Sequence, residues 1–144
     1  VDQRRAALTL VLVVDCSIVG PLALADEPAL SERVTDALSH KPLIAPAHWP
    51  LEVMNMLHVA ERRGRLDRLG RDAAARQIRD LAVTVRTDTG DFAWTEASRL
   101  ADLHGLTIYD AAYLELAIRL RASLATRDGD LIVAARAENV PVLI

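Results

Sequence analysis

Residues 11–17 read VLVVDCS: an apolar run rich in β-branched residues stops at a carboxylate, Asp15, and a hydroxyl follows at Ser17. A continuous apolar run without polar alternation is the pattern of a strand covered on both faces, as in the interior of a parallel sheet. Asp15 then falls at the carboxyl end of that strand, where open α/β sheets bind their ligands. The strand is predicted over residues 8–14.

The rest of the chain supports a sheet of this kind. Residues 18–25 read as a short helix or turn through Gly20-Pro21, and residues 28–40 as a helix carrying Leu30, Val34, Ala37 and Leu38 at helical spacing. A short strand, 43–45, is closed by Pro46. Trp49-Pro50 opens a long helix, with proline tolerated in the first turn, and Gly64 stops it. A helix over 67–81, a strand over 83–85, a turn over 88–91 and a helix over 92–104 stopped by Gly105 follow. Thr107 to Asp110 forms a capping box ahead of a helix over 111–121. A strand over 123–126, a helix over 128–138 and a last strand over 140–144, with Pro141 marking a sheet edge, complete the pattern. Strands alternating with helices predict one α/β domain over residues 1–144 with a mainly parallel sheet. Residues 1–7 form a polar lead-in with no assigned role.

Composition narrows the class. The chain has 144 residues, 51% hydrophobic and only 3% aromatic, so the expected core is aliphatic. A single cysteine, Cys16, excludes an internal disulfide and a thiolate metal cage, which suits a reducing cytoplasm. Cys16 reads as a small core residue rather than a nucleophile. Arg4-Arg5, an apolar run and Ala23-Leu24-Ala25 imitate a secretory leader, but Asp15 interrupts the run and cleavage would remove the best strand. No apolar segment approaches the roughly 20 residues needed to span a bilayer.

A net charge of −3 gives no global attraction to nucleic acid, yet 16 of the 17 basic residues are arginine. Seven of these lie between Arg62 and Arg79. Guanidinium forks suit phosphate and carboxylate better than lysine does, so the cluster could bind such groups. It reads equally as a solvated helix face, because Glu61, Asp67, Asp72 and Asp80 are interleaved.

Three further carboxylates can join Asp15. Asp128 follows the strand over 123–126, Asp110 lies in a first helical turn, and Glu52 lies in the first turn after Pro50, with Asn55 on its helix face. Each has a plain structural alternative: Asp110 closes a capping box, Asp128 caps a helix, and Glu52 favours a helix N-terminus. Carboxylates converging on one rim repel, and a divalent cation with oxygen ligands, Mg²⁺ or Mn²⁺, is what neutralises such a set.

The blocks VVDCS (13–17), PLEVMNML (50–57), LTIYDAAYLELA (106–117) and LATRDGDL (124–131) together resemble the PIN-domain ribonucleases found as VapC-like toxins of VapBC toxin–antitoxin pairs. The resemblance implies a three-layer α/β/α sandwich and a metal site in which Asp15, Glu52, Asp110 and Asp128 are both ligands and catalytic groups. It implies auxiliary roles for Ser17, Asn55, Thr126 and Asp130. The expected activity is Mg²⁺- or Mn²⁺-dependent hydrolysis of RNA, leaving 5′-phosphate and 3′-hydroxyl ends. A cognate antitoxin and a homodimer are its expected partners.

RNA would be held by basic residues around the acidic rim, with Arg127, next to Asp128, as the nearest candidate. A phosphoacceptor domain wants a late lysine, and the only one, Lys41, is misplaced. A haloacid-dehalogenase-like site wants an aspartate where Ser17 stands. His40, His48, His58 and His104 lack metal spacing, and only His48 lies close to Glu52. Trp49 and Trp94 read as core or interface anchors. The remaining alternative is a non-catalytic PIN-like module that binds RNA or protein.

Overall fold

In the computed structural model, which describes residues 4–5 and 9–144, β1 (Leu12–Val14) is the middle of a five-stranded parallel sheet. Its partners are β2 (Leu43–Ala45) on one side and β4 (Ser123–Ala125) on the other; β3 (Thr84–Val85) and β5 (Val142–Leu143) form the edges, giving the order β3-β2-β1-β4-β5. The register pairs Leu12 with Leu43 and Ser123, and Val14 with Ala125. Leu12, Val13 and Val14 are fully buried, as the unbroken apolar run requires. The run outlasts the strand, since Leu10 is already exposed; Leu8, the predicted first residue, lies outside the described residues, as does most of the polar lead-in.

Helices cover both faces of the sheet. On one face, α1 (Cys16–Ala23), α3 (Trp49–Arg62) and α4 (Arg68–Arg79) pack on one another; α2 (Glu32–His40) lies between α1 and β2 in the chain and adds Val34, Ala37 and Leu38 to the core. On the other lie α5, α6 (Ile108–Leu120) and α7 (Gly129–Ala137). Helix α5 is composite: α-helical over Thr89–Phe92, π-helical over Ala93–Ala97 and α-helical again over Ser98–His104. The result is the predicted three-layer α/β/α sandwich.

Local chemistry sets the helix boundaries. Ser31, Asp67, Thr107 and Asp128 each accept a hydrogen bond from a first-turn backbone N–H, at 2.7–3.3 Å, and so satisfy an otherwise orphaned donor. Gly105, at φ +63°, closes α5 in the left-handed conformation that glycine adopts without strain. Gly20-Pro21 does not make a turn; Pro21 lies inside α1. Helix α6 is buried all round, with every residue from Ala111 to Ala117 inside, because it lies under α5 and α7 and against β1 and β4. Among the described residues no helix is long and apolar enough to cross a membrane.

Candidate active site

The strand order reverses at β1, so the carboxyl ends of β1 and β4 flank the switch point where parallel sheets open a crevice. Asp15 directly follows β1. It is 5% exposed, and its N–H extends the ladder by one more bond, to Ala125 O at 3.0 Å. Its backbone stands at the N-cap of α1, yet its side chain makes no capping hydrogen bond. Oδ2 instead accepts the hydroxyls of Ser17 and Thr126, each at 2.8 Å. Those hydroxyls also accept backbone N–H groups, Ser17 from Arg127 at 2.8 Å and Thr126 from Asp128 at 3.1 Å. The segment after β4 is thereby tied to the segment after β1 around one buried carboxylate.

The other three acids also stand at helix N-termini, whose positive ends favour negative charge. Glu52 and Asp110 lie in the first turns of α3 and α6, and Asp128 caps α7. Asp128 therefore has its plain structural role: Oδ1 accepts Leu131 N at 2.9 Å. Asp110 contributes its N–H to the capping box with Thr107.

Electrostatics brings the four together. Burial, and then the charges of Asp15, Asp128 and Glu52, push the Asp110 carboxyl up to about 6. Burial is also the main reason the Asp15 carboxyl is raised, against the lowering effect of the Thr126 and Ser17 hydroxyls, with the Glu52 charge adding to the rise. Among the described residues no Lys or Arg lies within ion-pair distance of Asp15, Asp110 or Asp128. Nor is any group of three or more His, Cys, Asp or Glu side chains among them arranged to hold a metal ion.

Glu52 is held by partners that spacing did not single out. Tyr113, fully buried on α6, donates its hydroxyl to Glu52 Oε1 at 2.6 Å. His48 Nε2 comes within 3.3 Å of the same oxygen, an ion-pair distance without hydrogen-bond alignment, so the buried nitrogen has no hydrogen-bond partner. Burial would raise Glu52, but His48 and the Tyr113 hydroxyl together hold it below the usual carboxylate range. The available signals were the four-residue step from His48 to Glu52 and the three-residue step from Asp110 to Tyr113, which put each pair on one helix face.

Other predicted positions fall further out. Asn55 is exposed and its side chain makes no hydrogen bond among the described residues, so the partners of Glu52 are Tyr113 and His48 and not its helix neighbour. Asp130 is exposed in the first turn of α7, again without a hydrogen bond among the described residues. Arg127 is exposed and reaches Pro28 O at 3.5 Å. Cys16 packs against the core, and burial, with the nearby charges of Asp15, Glu52 and Glu27, pushes its thiol up to about 12, which removes it as a nucleophile at neutral pH. Trp49 is a core residue, whereas Trp94 is 89% exposed.

A family model described as the PIN domain matches residues 12–137, a span that includes all four acids. Sequence comparison with curated proteins finds no match. Among solved structures, PAE2754 from Pyrobaculum aerophilum superposes with a TM-score of 0.62 at 25% identity, covering 87% of this chain and 79% of that one. VapC20 of Mycobacterium tuberculosis, described as a sarcin–ricin loop cleaving toxin, gives 0.58 at 21% identity over 85% and 94% of the two chains. FitAcB from Neisseria gonorrhoeae gives 0.59 at 16% identity over 92% and 96%. The last two likenesses are of fold.

Proposed function

The chain belongs to the PIN-domain family, and from that premise we propose that it is a Mg²⁺- or Mn²⁺-dependent endoribonuclease, the toxin of a toxin–antitoxin pair, with residues 1–144 forming one such domain. The observation that carries this reading is the placing of Asp110 within electrostatic reach of Asp15, Asp128 and Glu52 beside the switch point, where Asp15 in turn feels Glu52. Three of these have no cationic side-chain partner among the described residues. The donor set is all oxygen, which suits a hard divalent cation. Mg²⁺ keeps several waters and binds through one or two carboxylates, so it does not require a preformed group of three ligands, and none is present among the described residues.

Asp15, Glu52, Asp110 and Asp128 would hold the metal, which when bound supplies a water of lowered pKa and screens the phosphate charge. Ser17 and Thr126 orient Asp15 by donating to Oδ2. Water adds across the P–O3′ bond, leaving a 5′-phosphate and a 3′-hydroxyl. An acidic rim repels RNA, so its hold on substrate comes from the arginines around it. Arg127 is adjacent; Arg62, Arg63, Arg68, Arg76 and Arg79 are exposed without ion pairs among the described residues, whereas Arg65 and Arg71 are engaged by Asp26, Glu27, Glu61 and Asp72. Asn55 and Asp130, both exposed near the first turns of α3 and α7, are proposed to act only as auxiliary groups.

We place the protein in the cytoplasm, restrained by an antitoxin whose arginine enters the acidic rim, and as a homodimer with Trp94 as an exposed anchor. The competing reading, a PIN-like module that binds RNA or protein without cutting, draws on the lack of a preformed ligand group among the described residues. Titrating Mn²⁺ into wild type and Asp15→Asn with RNA present separates the two. Cleavage by wild type that falls at least about 100-fold in the variant, the upper end of what weakening a metal's surroundings costs, supports the nuclease; equal cleavage refutes the site. No cleavage by either protein supports the binding module.

A further inference from the structure

We propose that Tyr113 is a positioning residue that fixes the Glu52 carboxylate at the acidic rim, so that α6 supplies Asp110 directly and sets a second acid across the interface with α3. The proposal rests on the metal-site reading above and deepens it. Tyr113 has no exposed surface, and a buried phenol needs an acceptor for its hydroxyl; the acceptor is Glu52 Oε1 at 2.6 Å. The ring cannot swing away, because it meets the His48 ring edge-on at a centroid distance of 5.2 Å. Glu52 itself is a long side chain, 32% exposed, with several rotatable bonds and no other fixed hydrogen bond among the described residues. The hydroxyl selects one orientation for it.

That orientation has a chemical consequence. Both neighbours, Tyr113 and His48, approach Oε1, and Oε2 accepts no hydrogen bond among the described residues. Oε2 is therefore the oxygen left to meet a hydrated cation. Asp110 and Tyr113 lie three residues apart on one face of α6, so any rotation of that helix would move a direct ligand and the support of another together.

The test is Tyr113→Phe in the full chain, which keeps the ring and removes only the hydroxyl. Binding of Mn²⁺ alone is followed by the loss of its free paramagnetic resonance signal, alongside thermal melting and the Mn²⁺ dependence of RNA cleavage. The expected result is an affinity for Mn²⁺ weaker by about 10–100-fold, the range for losing an outer partner of a metal ligand. The cleavage midpoint in Mn²⁺ should shift by a similar factor while the ceiling at saturating Mn²⁺ is largely restored. Glu52→Gln should weaken binding too, and adding Tyr113→Phe to it should weaken binding no further, because the two act as a unit. Unchanged Mn²⁺ affinity in Tyr113→Phe, with or without a lower melting point, overturns the positioning role and leaves the metal site standing. A wild-type protein that binds no Mn²⁺ overturns both.

Discussion

Thr126 donates its hydroxyl to Asp15 Oδ2 at 2.8 Å, joining the ends of β4 and β1 through side chains at the point where the sheet changes direction. Thr126 Oγ1 in turn accepts the N–H of Asp128 at 3.1 Å, so one buried hydroxyl holds a carboxylate and the approach to a helix.

Thr126→Val removes that hydroxyl while filling the same space. It leaves a buried carboxylate oxygen with one donor fewer and Asp128 N–H without its acceptor. A cost of about 1–3 kcal/mol is expected, read as a melting point lower by about 2–4 °C per kcal/mol in a chain of this size. Calorimetry checks it, and Thr126→Ser should recover most of the loss.

The capping role of Asp128 and its proposed metal role can be separated by substitution. Asn caps helices as well as Asp does, so Asp128→Asn should melt within about 0.5 kcal/mol of wild type while losing metal affinity. Asp128→Ala loses the bond to Leu131 N as well and should cost about 1 kcal/mol more. Equal metal affinity in wild type and Asp128→Asn would remove Asp128 from the proposed ligand set.

Asp110 predicts a pH profile. Its carboxyl ionises near 3.8 when unperturbed and near 6 in the folded chain, through burial and the charges of Asp15, Asp128 and Glu52. Between those values the folded state holds the extra proton, so stability falls as pH rises through this window, and the penalty is complete above about 6. The raised Asp15 carboxyl acts with the same sign. In chelator, Asp110→Asn should therefore flatten the profile and be more stable than wild type above about pH 6. Excess Mg²⁺ should raise the wild-type melting point most in that range, where the carboxylates are ionised. A chelator-independent profile would count against metal binding here.

A buried ionic cluster on the opposite end of α6 gives a fourth expectation. Glu115, 4% exposed, takes Arg119 in two bonds of 2.7 and 3.1 Å, and Arg119 continues to Asp88 at 2.8 Å while lying 3.8 Å over the Phe92 ring. Glu115→Ala would remove two of the bonds to a partly buried guanidinium that keeps Asp88, at a cost of about 1–3 kcal/mol. Denaturant unfolding of that variant, and of Glu115→Ala with Arg119→Met, checks it; the second change should return part of the loss.

Asp15 and its strand were legible because a buried run that ends in a charge has few explanations, and the caps at Thr107 and Asp128 follow from side-chain chemistry within one turn. What lay beyond reach depends on contacts between distant segments. Tyr113 sits in a stretch that reads as plain core, and its hydroxyl gains meaning only when α3 is brought alongside. Glu115 and Arg119 are spaced as an ordinary surface pair, and nothing local says that α6 is covered all round. The π-helical turn at Ala93–Ala97 has no signature in the residues, and Trp94 on it points outward and not into the core.

The register of the central strand also fixes an order of events in the cell. Leu12 pairs with Leu43 early in the chain but with Ser123 only near its end, and Asp15 receives Thr126 from that same late segment. Chains emerge from the ribosome N-terminus first and domains fold as units. The acidic rim therefore cannot assemble on a nascent polypeptide until residues beyond Asp128 have emerged. A nuclease of the kind proposed above would lack its complete site until that point of its synthesis.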